Sequence, residues 1–296
     1  MGAVTSPRVG LCILPEFRWT EAAPKWRAAE EYGFHHAWTY DHLGWRSLVD
    51  GPWFDAVPTL AAAATVTERI PLGFFVASPN FRHPVPFARQ LLALDDISGG
   101  RLLLGVGAGG GGGYDDQVMG QAEVSPGQRV QRFAEFVELT DALLRNERTT
   151  YAGHWYQALE ARSAPGPVQA PRPPLLVAAN RPRAMAVAAR LGDGWVTTGT
   201  AADDVERWWA DVAAMSDRFA EAEAAAGRHG MQRHLNLDAA PRFSLASIET
   251  YRDAVGRAGQ LGFTDVIVHW PRPSGVYAGD PAVLDEVAAD LAGPPR

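Results

Sequence analysis

One cysteine in 296 residues, Cys12, excludes an internal disulfide. The run around it, Val9-Gly10-Leu11-Cys12-Ile13-Leu14, reads as a buried strand in which the thiol packs as a small hydrophobe, and a reducing cytoplasm is the expected setting. No apolar stretch approaches the roughly 20 residues that span a bilayer. The first residues also lack a basic segment leading into an apolar signal core, so no membrane partner is expected. Neither an HExxH motif nor a cysteine-histidine spacing of the metal-binding kind occurs, and no metal site is expected. Although the chain has 27 Lys and Arg, they are scattered, and the formal charge is −7. That pattern leaves no basic stripe for a phosphate backbone and excludes nucleic acid as an expected partner. A fixed-period repeat is missing too, which argues against a solenoid.

What is present is enough apolar material for a large core: 47% of residues are hydrophobic and 21% charged. Short β-type runs alternate with helical segments along the chain, the order expected of a parallel sheet covered by helices. Strands are expected at residues 8–14, 36–39, 72–76, 101–106, 174–178, 194–197, 234–238 and 265–269. Helices are expected at 21–32, about 54–67, 84–97, 183–191, 202–226, 246–259 and 281–291. Residues 107–173 form a long insertion after the fourth strand, with a helix near 128–145 and a hairpin-like stretch at 149–156. Eight pairs close a (β/α)8 TIM barrel, read as a single domain over residues 1–296, and such an insertion belongs at the functional face.

Gly105-Val106-Gly107-Ala108-Gly109-Gly110 satisfies the dinucleotide-binding GxGxxG pattern and follows a strand. Three strand-helix units precede it, more glycines (through Gly113) follow it, and no strand ending in an acid comes about 20 residues later, so a Rossmann unit is disfavoured. Its better role is a surface on which backbone approaches a flat ring or a phosphate; a flexible loop is the plain alternative. At the end of the second strand, Trp38-Thr39-Tyr40-Asp41-His42-Leu43-Gly44-Trp45 gathers an acid, a titratable base and large aromatics where a barrel keeps its catalytic rim. His42 is the proton donor or acceptor indicated there, with His35 and His36 weaker choices. A surface Asp-His pair is the alternative. Asn180-Arg181-Pro182-Arg183 runs from a strand end into a helix start and, with Thr198 and Gly199 beside it, suits a phosphate. Solvated arginines in an ordinary loop would look the same.

These residues resemble the luciferase-like monooxygenase superfamily, in particular its actinobacterial F420-type and flavin-dependent branch. The resemblance rests on Glu31-Tyr32-Gly33-Phe34 with Ala37-Trp38 and Asp41-His42-Leu43, on Thr67-Glu68-Arg69-Ile70-Pro71-Leu72-Gly73, and on Arg82-His83-Pro84. Ile97-Ser98-Gly99-Gly100-Arg101-Leu102 through Gly109, and Ala188-Ala189-Arg190-Leu191-Gly192-Asp193-Gly194-Trp195, extend it over nearly the whole chain. It implies a cofactor ring in the barrel mouth, with Asp41 and His42 beside it. Phe75 and Val76 would back the ring through a cis peptide, and Ala108 and Gly109 would touch it. Asn180, Arg181, Thr198 and Gly199, with Arg272 after the eighth strand, would meet the phosphate tail. Trp45 matches a site tryptophan with its spacing shifted by one residue. The implied cofactor is coenzyme F420, with FMN the alternative. Hydride transfer to or from a small organic substrate is the implied reaction. FMN-dependent oxygenation served by a separate reductase is the second reading, and a non-catalytic cofactor-binding barrel the third. Homodimerisation is also implied. Gly110 stands where the sugar-phosphate dehydrogenase branch keeps a glutamate, which argues against a glucose-6-phosphate activity. Tyr114, Trp155 and Tyr156 in the insertion are expected to form a lid over the substrate, a local packing cluster of loop aromatics being the alternative.

Overall fold

In the computed structural model, which describes residues 6–110, 113–120 and 122–293, short apolar segments lie side by side with few polar interruptions. Gly111 and Gly112 of the glycine run fall outside the described residues. Arg8–Cys12 (β1), His36–Thr39 (β2), Leu72–Phe74 (β3) and Leu102–Gly107 (β4) are followed by an antiparallel hairpin of Arg148–Ala152 (β5) and Gln157–Arg162 (β6). Leu175–Ala178 (β7), Gly194–Thr197 (β8), Gln232–Asn236 (β9) and Asp265–His269 (β10) complete the set. The eight strands other than β5 and β6 pair in parallel and close in the order β1-β10-β9-β8-β7-β4-β3-β2, the (β/α)8 barrel. Strands buried on both faces need continuous apolar runs, which is what Leu102-Leu103-Leu104 and Val266-Ile267-Val268 supply.

The helices are Trp19–Glu31 (α1), Ala56–Val66 (α2), Pro84–Ile97 (α3), Tyr114–Val118 (α4), Pro126–Arg145 (α5), Pro182–Leu191 (α6), Val205–Ala225 (α7), Ile248–Gln260 (α8) and Val283–Ala292 (α9). Their starts are written locally. Asp55 accepts from the Val57 amide at α2, Asp204 from Arg207 at α7, and Ser125 with Gln128 closes a reciprocal capping box at α5. None of the helices is long and apolar enough to cross a membrane. Because α5 packs against both α3 and α6, it is the fourth helix of the outer ring. The insertion proper is therefore the loop bearing α4 on one side of α5 and the β5–β6 hairpin on the other, narrower than the whole of residues 107–173.

Two family-like segments turn out to be structural. The Glu30 carboxylate accepts the amides of Glu68, Arg69 and Ile70, and the Arg101 guanidinium donates to the carbonyls of Ala64, Thr67, Ile70 and Ser98. Each satisfies backbone groups that a buried loop cannot leave open. Inside the barrel, Trp38 lies across the axis because Gly10 and Gly73 make room. A Cβ at Gly73 would fall on the indole, and one at Gly10 on the His36 ring.

The lower barrel carries a buried polar cluster. Trp38 Nε1 donates to His36 Nδ1 at 2.6 Å, and since an indole only donates, the remaining proton of a neutral His36 sits on Nε2, 3.1 Å from Asp265 Oδ1. His234 Nε2 stands 3.5 Å from the other oxygen of Asp265, which Arg8 also pairs. His36, His234 and Asp265 are close enough to surround an ion, but the His36 nitrogen facing them carries a hydrogen and offers no lone pair. His35 and His36 thus belong to the bottom of the barrel, opposite the catalytic rim: the His35 ring accepts the Val9 amide and His36 begins β2.

This cluster sets an acid limit on stability. Burial pushes His36 and His234 down, His234 to about 3, against the pull of Asp265. Burial raises the Asp265 carboxyl, but His36, His234 and Arg8 outweigh it and hold it below its ordinary range. The unfolded chain therefore takes up protons on these groups that the folded chain refuses. Stability is complete above the unfolded histidine value of about 6.5 and falls as pH drops toward the depressed values, by up to ~1.4 kcal/mol per pH unit per group. The melting temperature is expected to fall steeply between about pH 6.5 and 4, with a shallower fall in His234→Gln. A wild-type melting temperature that stays level over that interval would show that the cluster does not govern acid stability.

Candidate functional site

Opposite that cluster, at the C-terminal ends of the strands, lies a cavity of about 450 Å³. Larger clefts of about 720 and 580 Å³ exist at the strand N-termini beside Arg8 and between α7 and α8; the second reaches the turn after β9 but takes in none of the residues that follow β2, β3 or β8 up to Gly199. Residues that follow β2 (Tyr40, His42, Trp45, Arg46), β3 (Phe75, Val76) and β8 (Thr198, Gly199) line the mouth cavity, with Asn236, Asp238 and Tyr277 on the far side. The Phe75–Val76 peptide is cis, as the resemblance implied, and Ala77 bridges to Val106 beyond it. β3 thus stops at Phe74, two residues short of the expected strand, and the bulge turns Phe75 and Val76 toward the opening. Gly107 is required beside it, since a Cβ there would come within 2.8 Å of Val76 Cγ2.

His42 lies at the rim with 27% of its side chain exposed, and its Nδ1 is 2.7 Å from Asp115 Oδ2 on α4. Asp115 is buried, and its other oxygen accepts the Leu43 amide at 2.8 Å. An ionised carboxylate only accepts, so Nδ1 carries the hydrogen, and Nε2 has no hydrogen-bond partner among the described residues. The His42 carbonyl accepts from Trp53 Nε1, fixing the backbone below the ring. The result is an oriented imidazole whose exchangeable nitrogen is available to a ligand.

Asp41, by contrast, turns away from the cavity. Arg82 grips it with Nη2 at 2.6 Å and Nε at 3.1 Å, and also reaches Asp55 at the start of α2. Burial works against the Arg82 charge, but the two carboxylates outweigh it and hold the guanidinium above its ordinary value. Asp41 therefore ties β2 to α2 and to the segment before α3, one residue from His42. The sequence places acid and base side by side, and successive residues at a strand end point to opposite faces.

The expected phosphate corner is also redistributed. Thr198 and Gly199 line the cavity, but the Asn180 amide is engaged by Thr198 Oγ1 at 2.8 Å and the Gly199 carbonyl at 2.9 Å. Its oxygen accepts from Thr197, so Asn180 braces the β7 and β8 ends. Arg181 is exposed at the start of α6 and does not line the cavity. Arg272 is paired with Glu16 at 2.8 and 2.9 Å and is likewise turned away. The arginine on the cavity wall is Arg46, whose guanidinium lies 4.6 Å from the Trp45 ring centroid. Ala108 is packed against the core, and Gly109, at φ +72°, faces the Asn80 side chain; neither lines the cavity.

Of the proposed lid, only Tyr114 approaches the rim, where its ring abuts Gly44. Tyr156 is buried against Phe136 and His83 and secures the hairpin to the outer helices, while Trp155 packs on His154 within the turn.

Sequence reasoning missed Asp115, Tyr40, Asp238 and Tyr277. The sequence pattern predicts Asp238 as the last residue of a strand, whereas β9 ends at Asn236 and Asp238 sits in a 3-10 turn over Leu237–Ala239. A signal for it existed: His269 ends the neighbouring strand, and rim residues of adjacent barrel strands face each other. For Asp115, 73 residues from His42, no local pattern carried the information.

The profile of the luciferase-like monooxygenase family matches residues 1–289. An uncharacterized protein of Mycobacterium tuberculosis is 30% identical over 299 residues, covering 96% of this chain and 98% of its own. The F420-dependent glucose-6-phosphate dehydrogenase of Beutenbergia cavernae is 38% identical over 172 residues, which are 57% of this chain and 50% of that one. The match thus spans about half the length of that curated dehydrogenase. Among solved structures, an F420-dependent secondary alcohol dehydrogenase in complex with an F420-acetone adduct shares the fold with a TM-score of 0.80 at 16% identity, covering 97% and 98% of the chains. Monooxygenase RslO1 from Streptomyces bottropensis does so with 0.73 at 23% identity and 96% coverage of each. The parallel closed barrel, the bulge after its third strand and a family profile running from the first residue to the 289th agree: this chain belongs to the luciferase-like monooxygenase family.

Proposed function

We propose that the chain is an F420-dependent oxidoreductase that moves a hydride between the deazaflavin and a small organic substrate, with His42 exchanging the accompanying proton. The observation that carries the reading is the Asp115–His42 pair, whose imidazole lines the same cavity as Phe75 and Val76. Bound deazaflavin supplies two-electron hydride chemistry with little reactivity toward oxygen. The residues fit such a ring: Phe75, Val76, Ala178 and Val196 form an apolar wall, Gly107 leaves the bulge uncovered, and Thr198 and Arg46 offer a hydroxyl and a positive charge at the rim. A cavity of about 450 Å³ is within the range of small-molecule sites. The relatives named for F420 dependence support deazaflavin over FMN, and Gly110 argues against the sugar phosphate.

Within the pocket, Asp115 holds the His42 tautomer, Phe75 and Val76 orient the ring, and Trp45 excludes water. The test is direct binding. Titration of the purified protein into oxidised F420 is expected to change the cofactor's fluorescence saturably, while FMN gives a weaker response. Flavin binding with flavin-dependent oxygen consumption, and no F420 response, would transfer the assignment to an FMN monooxygenase. Binding of neither cofactor would remove the oxidoreductase reading.

A further inference from the structure

A second hydrogen-bonded chain reaches the same cavity. The Asp238 carboxylate accepts three hydrogens: the Ser244 amide on Oδ1 at 2.8 Å, and the His269 amide and His269 Nδ1 on Oδ2 at 2.6 and 2.9 Å. With Nδ1–H committed to Asp238, the neutral His269 presents a bare Nε2, which lies 2.9 Å from the Tyr40 hydroxyl. Tyr40 must therefore donate to His269, and its oxygen accepts from the Tyr277 hydroxyl at 2.8 Å. Every hydrogen in the series points inward, from Tyr277 to Tyr40 to His269 to Asp238. His269 stacks on Tyr277 with ring centroids 3.9 Å apart, and Trp45 stacks on the other side of Tyr277 at 6.0 Å. Tyr40 and Tyr277 both line the cavity, whereas His269 is fully buried behind them.

We infer that Tyr277, Tyr40 and His269 form a relay that takes the proton from a substrate hydroxyl and returns it to a substrate carbonyl, making the substrate an alcohol–carbonyl pair. The inference rests on the proposed function for its redox partner: the relay carries the substrate's hydroxyl proton, and His42 exchanges the separate proton that accompanies the hydride on the cofactor side. In the oxidising direction the alcohol O–H bond breaks and its proton goes to the Tyr277 oxygen. The Tyr277 proton passes to Tyr40, and the Tyr40 proton to His269 Nε2. The hydride of the same carbon, with its electron pair, goes to the oxidised deazaflavin, and a C=O bond forms. Reduction runs the series backward, and the charge on His269 is balanced by the Asp238 carboxylate in either case. Burial pushes both phenols above their ordinary range, so they pass protons as neutral hydroxyls and do not rest as phenolates.

Nitrogen-15 NMR of histidine-labelled, cofactor-free protein is expected to show His269 as the neutral Nδ1–H tautomer, lost in Asp238→Asn. With F420 and an alcohol panel, Tyr277→Phe and Tyr40→Phe are expected to lose about 100-fold in kcat with KM and F420 fluorescence titration unchanged. The wild-type solvent isotope effect on kcat is expected to exceed that of an isotopically insensitive binding step. Intact F420 binding with an Nε2–H tautomer at His269, or with wild-type kcat in both phenylalanine variants, would overturn the relay alone. Failure of the wild-type protein to bind F420 would instead overturn the proposed function, and the relay's redox role with it.

Discussion

His42→Ala is expected to lower kcat by about 10²- to 10⁴-fold, the usual contribution of a positioned general acid or base, with the F420 titration unchanged and the melting temperature lowered, because the buried Asp115 keeps only the Leu43 amide among the described residues. The imidazole stands at the rim, so its removal leaves no cavity in the core. Asp115→Asn is the sharper test. An asparagine keeps the size of the side chain but can turn an N–H toward Nδ1, which moves the imidazole proton to Nε2 and blinds the base. A loss of about 10²- to 10⁴-fold in kcat is expected, at constant KM. Single-turnover measurements separate this from slowed product release. Full activity in both variants would mean that the rim pair is a surface contact and that proton transfer runs elsewhere, the Tyr277 end of the relay being the first place to look.

The second large effect is on stability and comes from Arg82. Its guanidinium is nine-tenths buried and bonds two carboxylates, one of them, Asp41, fully buried. Arg82→Met removes both bonds and strands Asp41 in the interior, where the cost of breaking such a pair is about 3–5 kcal/mol. For a chain of this length that corresponds to a melting temperature roughly 6–10 °C lower. Most of it comes from Asp41, because Asp55 is partly solvated and its share of the pairing is screened. Adding Asp41→Leu to Arg82→Met is expected to restore part of the loss, since an apolar pair needs no counter-charge. Thermal unfolding followed by circular dichroism reads both. An Arg82→Met protein that melts with the wild type would show that the cluster is dispensable. Its activity is of separate interest, as Asp41 adjoins His42.

The segments 36–39, 194–197 and 265–269 coincide with strands as read from their apolar runs, and Pro84 opens α3 where proline suits a first turn. Such features are legible because strand and helix starts are encoded in a handful of neighbouring residues. The (β/α)8 closure was legible for the same reason: eight alternations leave few other parallel topologies. Strand-end position pointed to His42, Trp45, Thr198 and Gly199, and the resemblance to Phe75 and Val76, all of which line the cavity. Asp41, Asn180 and Arg272, polar side chains at strand ends, are bonded to Arg82, Thr198 and Glu16, partners that no strand-end position could reveal.

By itself, then, the sequence determined the barrel, its family and the ring of strand ends from which a site is built, because local periodicity and backbone preferences act over a few residues. Tertiary structure alone decided which polar groups are free to react. It brought Asp115 across 73 residues to His42 and set Asp238 behind His269 and Tyr40. A carboxylate's role depends on which cation or imidazole lies within about 3 Å, and that distance is fixed only when the whole barrel closes.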